Sequence, residues 1–201
     1  MKKRLLLIIL CFIIAIFQIG CNNKGKDIEE NLKYIRNLDS YTCNVNISMK
    51  NDKQVITYSG KQSYDKMYGS RFELGDSRIF IYKDDMVFIK DLKNNSFYNT
   101  QEDSDSIFKL AFVSYYINLL YTDENIKSSF KSLNGQEYQV VHLDIPGNNK
   151  NINNANLYIR TSDKVPQYLY IYNSSGKEDI KVEYSSFQPN IKLNQQIFET
   201  K

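Results

Sequence analysis

The sequence predicts an α+β fold in which a strongly curved antiparallel sheet, a half-barrel, wraps around one buried helix. Three observations carry that prediction. Between Ile107 and Tyr121 only Lys109, Ser114 and Asn118 are neither apolar nor aromatic, so a helix there has no wide polar face and should be buried nearly all round. On both sides of it apolar and polar residues alternate with period two, the signature of half-buried strands. Short turn signals such as Gly75-Asp76, Lys83-Asp84-Asp85 and Asn134-Gly135 separate those strands at hairpin spacing.

The chain opens with Lys2, Lys3 and Arg4, an unbroken apolar run from Leu5 to Phe17, and then Gly20-Cys21. A charged start, a short hydrophobic centre and a small residue before the cut are the parts of a signal peptide. The centre is too short to be read first as a spanning helix. Residues 1–20 are therefore expected to leave, Cys11 with them. Cys21 follows as the first residue of a short tether, 21–26.

Asp27 is placed to cap a helix whose apolar stripe is Ile28, Leu32 and Ile35, extended by Leu38. From Tyr41 the period changes to two. Tyr41, Cys43, Val45, Ile47 and Met49 share one face of a long strand. Strands are expected next over 54–64, 67–74 (with Gly69 marking a bulge), 78–83, 86–92 and 96–100. Together they make an antiparallel meander. Ser104 and Asp105 can cap the central helix, and Thr122, Asp123 and Asn125 end its apolar pattern. Further strands are expected over 126–133, 138–145, 157–161, 167–172 and 180–187. Residues 146–154 have the composition of a mobile loop. No internal repeat and no second domain are evident, so 27–201 reads as one domain.

Composition narrows the function classes. Of 26 basic side chains three are Lys2, Lys3 and Arg4, which leaves 23 against 23 acidic ones. The mature body is neutral and offers no basic patch for nucleic acid. The 16 tyrosines and the absence of tryptophan suit half-exposed strands, where a ring packs while its hydroxyl stays wet.

Catalytic machinery is missing. His142 is the single histidine, inside a strand, with no motif marking a nucleophile or an orienting acid beside it. One histidine and one mature free cysteine cannot build a usual zinc site. The pairs Asp84-Asp85 and Glu102-Asp103 read as solvated turn acids rather than a glycosidase pair. No phosphate-cradling or dinucleotide motif occurs. The sequence therefore predicts a protein that is not an enzyme and holds no cofactor or metal. Cys43 reads as a buried inert thiol, with an intermolecular disulfide as the alternative. Tyr168, Tyr170 and Tyr172 share one face of their strand and Leu169 and Ile171 the other; the tyrosine face is either half-wet sheet surface or a partner-binding patch.

Two resemblances follow from particular residues. Gly20-Cys21 followed by Asn22, Asn23, Lys24, Gly25 and Lys26 resembles a bacterial lipobox, which implies acylation of Cys21. Gln18 departs from that pattern, which usually has an aliphatic residue there, and implies slower processing. The closing third, with Val165-Pro166-Gln167, Ile171 to Lys177, Val182-Glu183-Tyr184, Phe187, Asn190, Leu193 and Ile197-Phe198-Glu199, resembles the lipoprotein-carrier superfamily typified by LolA and LolB. The likeness covers about 27–201.

Within that superfamily the chain most resembles the GerS-like spore germination lipoproteins. That resemblance implies a non-catalytic partner that activates a spore cortex amidase of CwlD type. Such an amidase is a zinc enzyme needed to form muramic-δ-lactam in cortex peptidoglycan. It also implies a lipid anchor on the outer face of a spore or forespore membrane. The alternative is a lipid- or lipoprotein-binding carrier or a sensor of the same fold. Bulky Phe108, Phe112, Tyr115, Tyr116 and Tyr121 in the central helix favour a filled concavity over an open lipid groove. Exposed sheet edges offer a route to pairing with a partner or with a second copy as a homodimer.

Overall fold

A computed structural model describes residues 24–51, 53–101, 106–122 and 126–200. Cys11, Gln18, Cys21 and the acidic loop with Glu102, Asp103, Ser104 and Asp105 lie outside the described residues, as do Asp123, Asn125 and the side chains of residues 24–28, 106 and 122. Helix α1 (Lys24–Arg36) is followed by six strands, β1 (Ser40–Lys50), β2 (Val55–Asp65), β3 (Gly69–Leu74), β4 (Arg78–Lys83), β5 (Met86–Asp91) and β6 (Ser96–Gln101). Two short helices, α2 (Ser106–Leu110) and α3 (Val113–Thr122), lead into β7 (Lys127–Leu133), β8 (Gln136–Asp144), β9 (Asn154–Arg160), β10 (Pro166–Tyr172) and β11 (Glu178–Pro189). A 3-10 turn, Gln195–Phe198, closes the chain.

All eleven strands form one antiparallel sheet in the order β6-β5-β4-β3-β2-β1-β11-β10-β9-β8-β7. Each half is a meander, and the long pairing of β1 with β11 joins them, with Val45 opposite Tyr184 and Ile47 opposite Val182. The sheet is open, since β6 and β7 stay unpaired at its two ends. It is also curved. Phe72 on β3 and Phe80 on β4 share one buried core with Val141 on β8 and Leu157 on β9, although five to seven strand spacings at about 4.8 Å each separate them along a flat sheet.

The period-two pattern places the core. Tyr41, Cys43, Val45 and Ile47 face inward from β1, and Leu169 and Ile171 do the same from β10. Asp84 and Asp85 take φ of 53° and 58°, and Asn134 and Gly135 take 52° and 78°. Both pairs are the left-handed two-residue turns that match strand twist. Gly69 does not mark a bulge. It pairs with Asp65 in unbroken register at φ +107°, where a Cβ would lie 2.5 Å from the Tyr82 carbonyl oxygen. A close backbone approach in a left-handed conformation, not an extra residue, requires glycine there.

Helix α1 buries Leu32 and Ile35, with Leu38 just beyond its end. It is already helical at Lys24, so Asp27 lies inside its first turns rather than ahead of them. The residues 146–154 are tied down: Asn153 N–H donates to the Tyr172 carbonyl, Ser174 N–H donates to that of Lys150, and Ile152 packs on the core.

The central helix departs most from expectation. It is two helices, broken at Ala111 and Phe112. Ala111, Phe112, Val113, Tyr116, Ile117 and Leu120 are buried, but Tyr115 and Leu119 are only half-buried, Asn118 is exposed and Tyr121 is 63% exposed. The sheet carries this segment on its concave face and does not enclose it.

Candidate functional site

The break in the helical segment has a physical cause. A residue in an unbroken helix gives its carbonyl to the N–H four positions on. Here Tyr115 N–H turns back to the Phe112 carbonyl, and Ala111 N–H and Phe112 N–H donate to Phe108 and Lys109 in tightened turns. The Ala111 carbonyl is thereby left for the sheet. It accepts from Gln62 Nε2 of β2 at 3.0 Å and from the Tyr184 hydroxyl of β11 at 2.9 Å. Ser114 N–H, an orphan donor at the start of α3, donates to the Tyr41 hydroxyl of β1 at 3.3 Å. Three adjacent central strands thus hold the segment by buried polar bonds. Burial pushes the phenols of Tyr41, Tyr116 and Tyr184 far up from their ordinary range.

Aromatic packing continues this hold toward β4. Phe108 stacks on Phe72 with ring centroids 4.8 Å apart, meets Phe80 at 5.0 Å and sits edge-on to Tyr58. Phe112 meets Tyr82 edge-on at 5.5 Å. At the other end of α3 the Tyr121 hydroxyl donates to the Arg36 carbonyl, and the Arg36 guanidinium donates to the Leu120 carbonyl. Those bonds fasten α1 to the segment at the end of the sheet where β1 begins. Lys164, in the β9–β10 turn at that same end, pairs with Glu30 of α1.

A cleft of about 480 Å³ opens at the opposite end. Its apolar lining is aliphatic: Met49, Ile56, Ile107, Ile152 and Ile180, with Lys50 and Lys177 among its polar residues. Beside it the tip of β2 exposes Val55 at 59% and Ile56 at 36%. Periodicity alone misses this site, because its residues come from five separate segments; the adjacent apolar pair Val55-Ile56 beside a turn is its one signal. A smaller cleft of about 280 Å³ runs along the outer side of α3, lined by Tyr64, Tyr82, Tyr115, Asn118 and Leu119 among others.

The convex face carries a cluster of four tyrosines. Tyr138 and Tyr158 are buried there with Val140, and Tyr168 and Tyr170 pack against them. Lys181 Nζ lies 5.6 Å and 5.9 Å from the centroids of Tyr168 and Tyr170 and pairs with Glu183; Lys131 covers Tyr158. Leu169 and Ile171 are in the main core, so the two faces of β10 divide as the alternation predicts. Of the sheet edges, β6 is almost wholly exposed, with Phe97 at 49% and Tyr98 at 44%.

The remaining predicted positions are not brought together. His142 is half-buried on the convex face, its Nδ1 3.1 Å from Asn156 Oδ1 and its Nε2 3.5 Å from Asp144. Asp84 and Asp85 occupy an exposed turn. Cys43 is buried, its Sγ 3.8 Å from Gln62 Oε1, and burial pushes its thiol far up. That geometry is an inert thiol rather than a surface disulfide partner. Among the described residues no group of three or more His, Cys, Asp or Glu side chains could hold a metal, and no helix is long and apolar enough to cross a membrane.

Comparison with known proteins adds the following. The model of a family described as sporulation protein YdcC-like matches residues 1–198. No curated protein matches the sequence. A similar solved structure is that of an uncharacterized conserved protein from Thermus thermophilus, with 10% identity, a TM-score of 0.55 and coverage of 88% of this chain and 94% of that one. The open curved sheet is thus a shared fold. The structure of the CwlD amidase from Clostridioides difficile in complex with the GerS lipoprotein also matches, with 21% identity and a TM-score of 0.48 over 84% of this chain and 96% of that one. A LolA superfamily protein from Nitrosomonas europaea matches with 14% identity and a TM-score of 0.40 over 89% and 98%. The last two similarities are too slight in geometry to add to the fold assignment.

Proposed function

The chain belongs to the YdcC-like family of sporulation proteins, and from that membership we propose that it is a membrane-tethered, non-catalytic lipoprotein that binds and activates a spore cortex N-acetylmuramoyl-L-alanine amidase of CwlD type. Its role is to support muramic-δ-lactam formation in the cortex and hence germination. Residues 1–20 are its signal peptide, and acylated Cys21 and the tether hold it on the outer face of a spore or forespore membrane. Confinement to that surface raises its effective concentration around a partner working there. The zinc of the reaction belongs to the amidase.

The observation that carries this reading is the occupied concave face. A carrier needs that face free for acyl chains, whereas here α2 and α3 lie on it, held by two hydrogen bonds to the Ala111 carbonyl. A preformed, filled scaffold suits recognition of a protein surface. The Asn- and Lys-rich composition and the lipobox, which resemble those of GerS-like lipoproteins, point the same way.

A second reading, a lipid- or lipoprotein-binding carrier, is favoured by the aliphatic lining of the 480 Å³ cleft. One experiment separates the two. The full chain, purified in mild detergent, is mixed with the host's cortex amidase and run on a sizing column, and the protein is examined for bound lipid by native mass spectrometry. A stable complex without bound lipid supports the activator. Bound lipid with no complex supports the carrier.

A further inference from the structure

We propose that β6 is a self-pairing edge, along which two copies of the chain join antiparallel with Asn99 of each copy at the two-fold axis. The pairing is independent of the amidase reading and goes beyond it.

The direction of the free backbone groups follows from the neighbouring ladders. Leu92 N–H donates to the Ser77 carbonyl, so Met86, Phe88 and Lys90 of β5 bond toward β4, and Val87, Ile89 and Asp91 bond toward β6. Their partners on β6 are Thr100, Tyr98 and Ser96. The N–H and C=O groups of Phe97, Asn99 and Gln101 therefore point away from the sheet, and no described residue bonds to them.

Those three residues are spaced to complement themselves. In an antiparallel pair centred on Asn99, Phe97 lies opposite Gln101 of the second copy, Asn99 opposite Asn99, and Gln101 opposite Phe97. All are pairs of the hydrogen-bonded kind, so every outward group of the edge finds a partner. The side chains agree with that register. Val87 and Ile89 are buried, so Thr100 and Tyr98, which lie opposite them, are on the concave side. There Tyr98 of one copy meets Thr100 of the other as a close, non-hydrogen-bonded pair. Phe97, Asn99 and Gln101 are on the convex side, where the two Asn99 amides meet and Phe97, stacked on Phe88 at 6.3 Å, is covered.

The two ends of the sheet differ in protection. Strand β7 carries Lys127 and Lys131, both exposed, and lysine on an edge strand discourages pairing. Strand β6 has no charged residue, no Pro and no Gly, and its unbroken register with β5 leaves no bulge to turn it aside. Exposed Leu92, Phe97 and Tyr98 gather at it. Two copies of β6 meet without a charged side chain between them, whereas two copies of β7 would bring their lysines together.

A six-residue edge buries less than a standard interface, so pairing in solution is expected at about 10 μM. Confinement on one membrane raises the effective concentration above that. The two-fold axis of an antiparallel pair stands perpendicular to the sheet, so both tethers reach one membrane with the sheet lying along it.

Sedimentation equilibrium of the full chain in density-matched detergent, from about 1 to 200 μM, tests the pairing. The parent is expected to pass from monomer to dimer over that range. Asn99→Lys and Asn99→Asp each place like charges opposite one another at the axis and are expected to weaken self-association by about tenfold. An equimolar mixture of the two places opposite charges there and is expected to recover the dimer. Ser132→Lys on β7 is the control and should associate as the parent does. Asn99 and Ser132 are exposed, and thermal melts confirm that every variant is folded. A parent that stays monomeric at the highest concentration, Asn99 variants that dimerise as tightly as the parent, or a mixture that stays monomeric would each overturn the proposal. Amidase binding is read in a separate experiment, so the failure of either reading leaves the other standing.

Discussion

The hydroxyl of Tyr184 donates a 2.9 Å hydrogen bond to the carbonyl of Ala111, 73 residues earlier in the chain. This bond ties the central strand β11 to the point where the helical segment is broken. Gln62, from the other half of the sheet, donates to the same oxygen at 3.0 Å. Both lone pairs of one carbonyl are thus used to fix the segment on the concave face. On this account the filled face is a property of the sequence and not of a bound ligand.

Removing one of the two donors should be mild and removing both should not. Tyr184→Phe and Gln62→Leu are each expected to cost about 1 kcal/mol, because the carbonyl keeps one partner. The double variant leaves it buried and unsatisfied and should cost about 3 kcal/mol, more than the sum. Urea denaturation of the four proteins measures the excess. Strict additivity would show that the two bonds do not share the carbonyl.

Tyr116 provides the opposite case. Its hydroxyl is buried without a hydrogen-bond partner, so its desolvation is uncompensated. Tyr116→Phe is expected to leave stability unchanged or raise it by up to about 1 kcal/mol. A loss of stability in the same denaturation experiment would reveal a partner for that hydroxyl.

Alkali should unfold the protein. Burial raises the phenols of Tyr41, Tyr116 and Tyr184 from the usual value of 10.0. A group whose pKa is raised in the folded state contributes stability that is complete below the unfolded pKa and is lost as pH rises above it. Melting temperature is therefore expected to hold up to about pH 9 and to fall steeply above about pH 10. Phenolate absorbance at 295 nm should rise in two stages, exposed tyrosines first and the buried ones only with unfolding. A single smooth titration of all tyrosines without unfolding would contradict the burial.

Much of this architecture is legible in the sequence. Strict alternation in β1, turn residues such as Asn134-Gly135, and the apolar run from Ile107 to Tyr121 located the strands, their hairpin turns and the segment on the concave face, but not the pairing of β1 with β11 that joins the two halves. What stayed hidden depends on distant partners. Nothing local marks Ala111 and Phe112 as a break, with neither Gly nor Pro present, because the interruption is stabilised by donors on β2 and β11. Gln62 looks like any polar strand residue, yet it is fully buried. The cleft leaves no local mark for the same reason, since Met49, Ile56, Ile107, Ile152 and Ile180 meet only after folding.

Cys43 should react only on unfolding. It is buried beside Gln62 and desolvation keeps it protonated, whereas reactivity belongs to the exposed thiolate. Iodoacetamide at neutral pH is expected to leave the native protein unmodified at this position and to label it promptly in denaturant. Rapid native labelling would mean that β1 opens readily or that the thiol reaches the surface.

The central claim is activation of an amidase by a protein with no chemistry of its own. The most direct measurement is the rate at which the host's cortex amidase releases stem peptide from spore peptidoglycan as the full chain is titrated in. A rise in rate that saturates near equimolar protein, with no release by the chain alone, is the predicted result. An amidase whose rate stays the same at saturating chain, or a chain that cleaves peptidoglycan without it, would contradict the account.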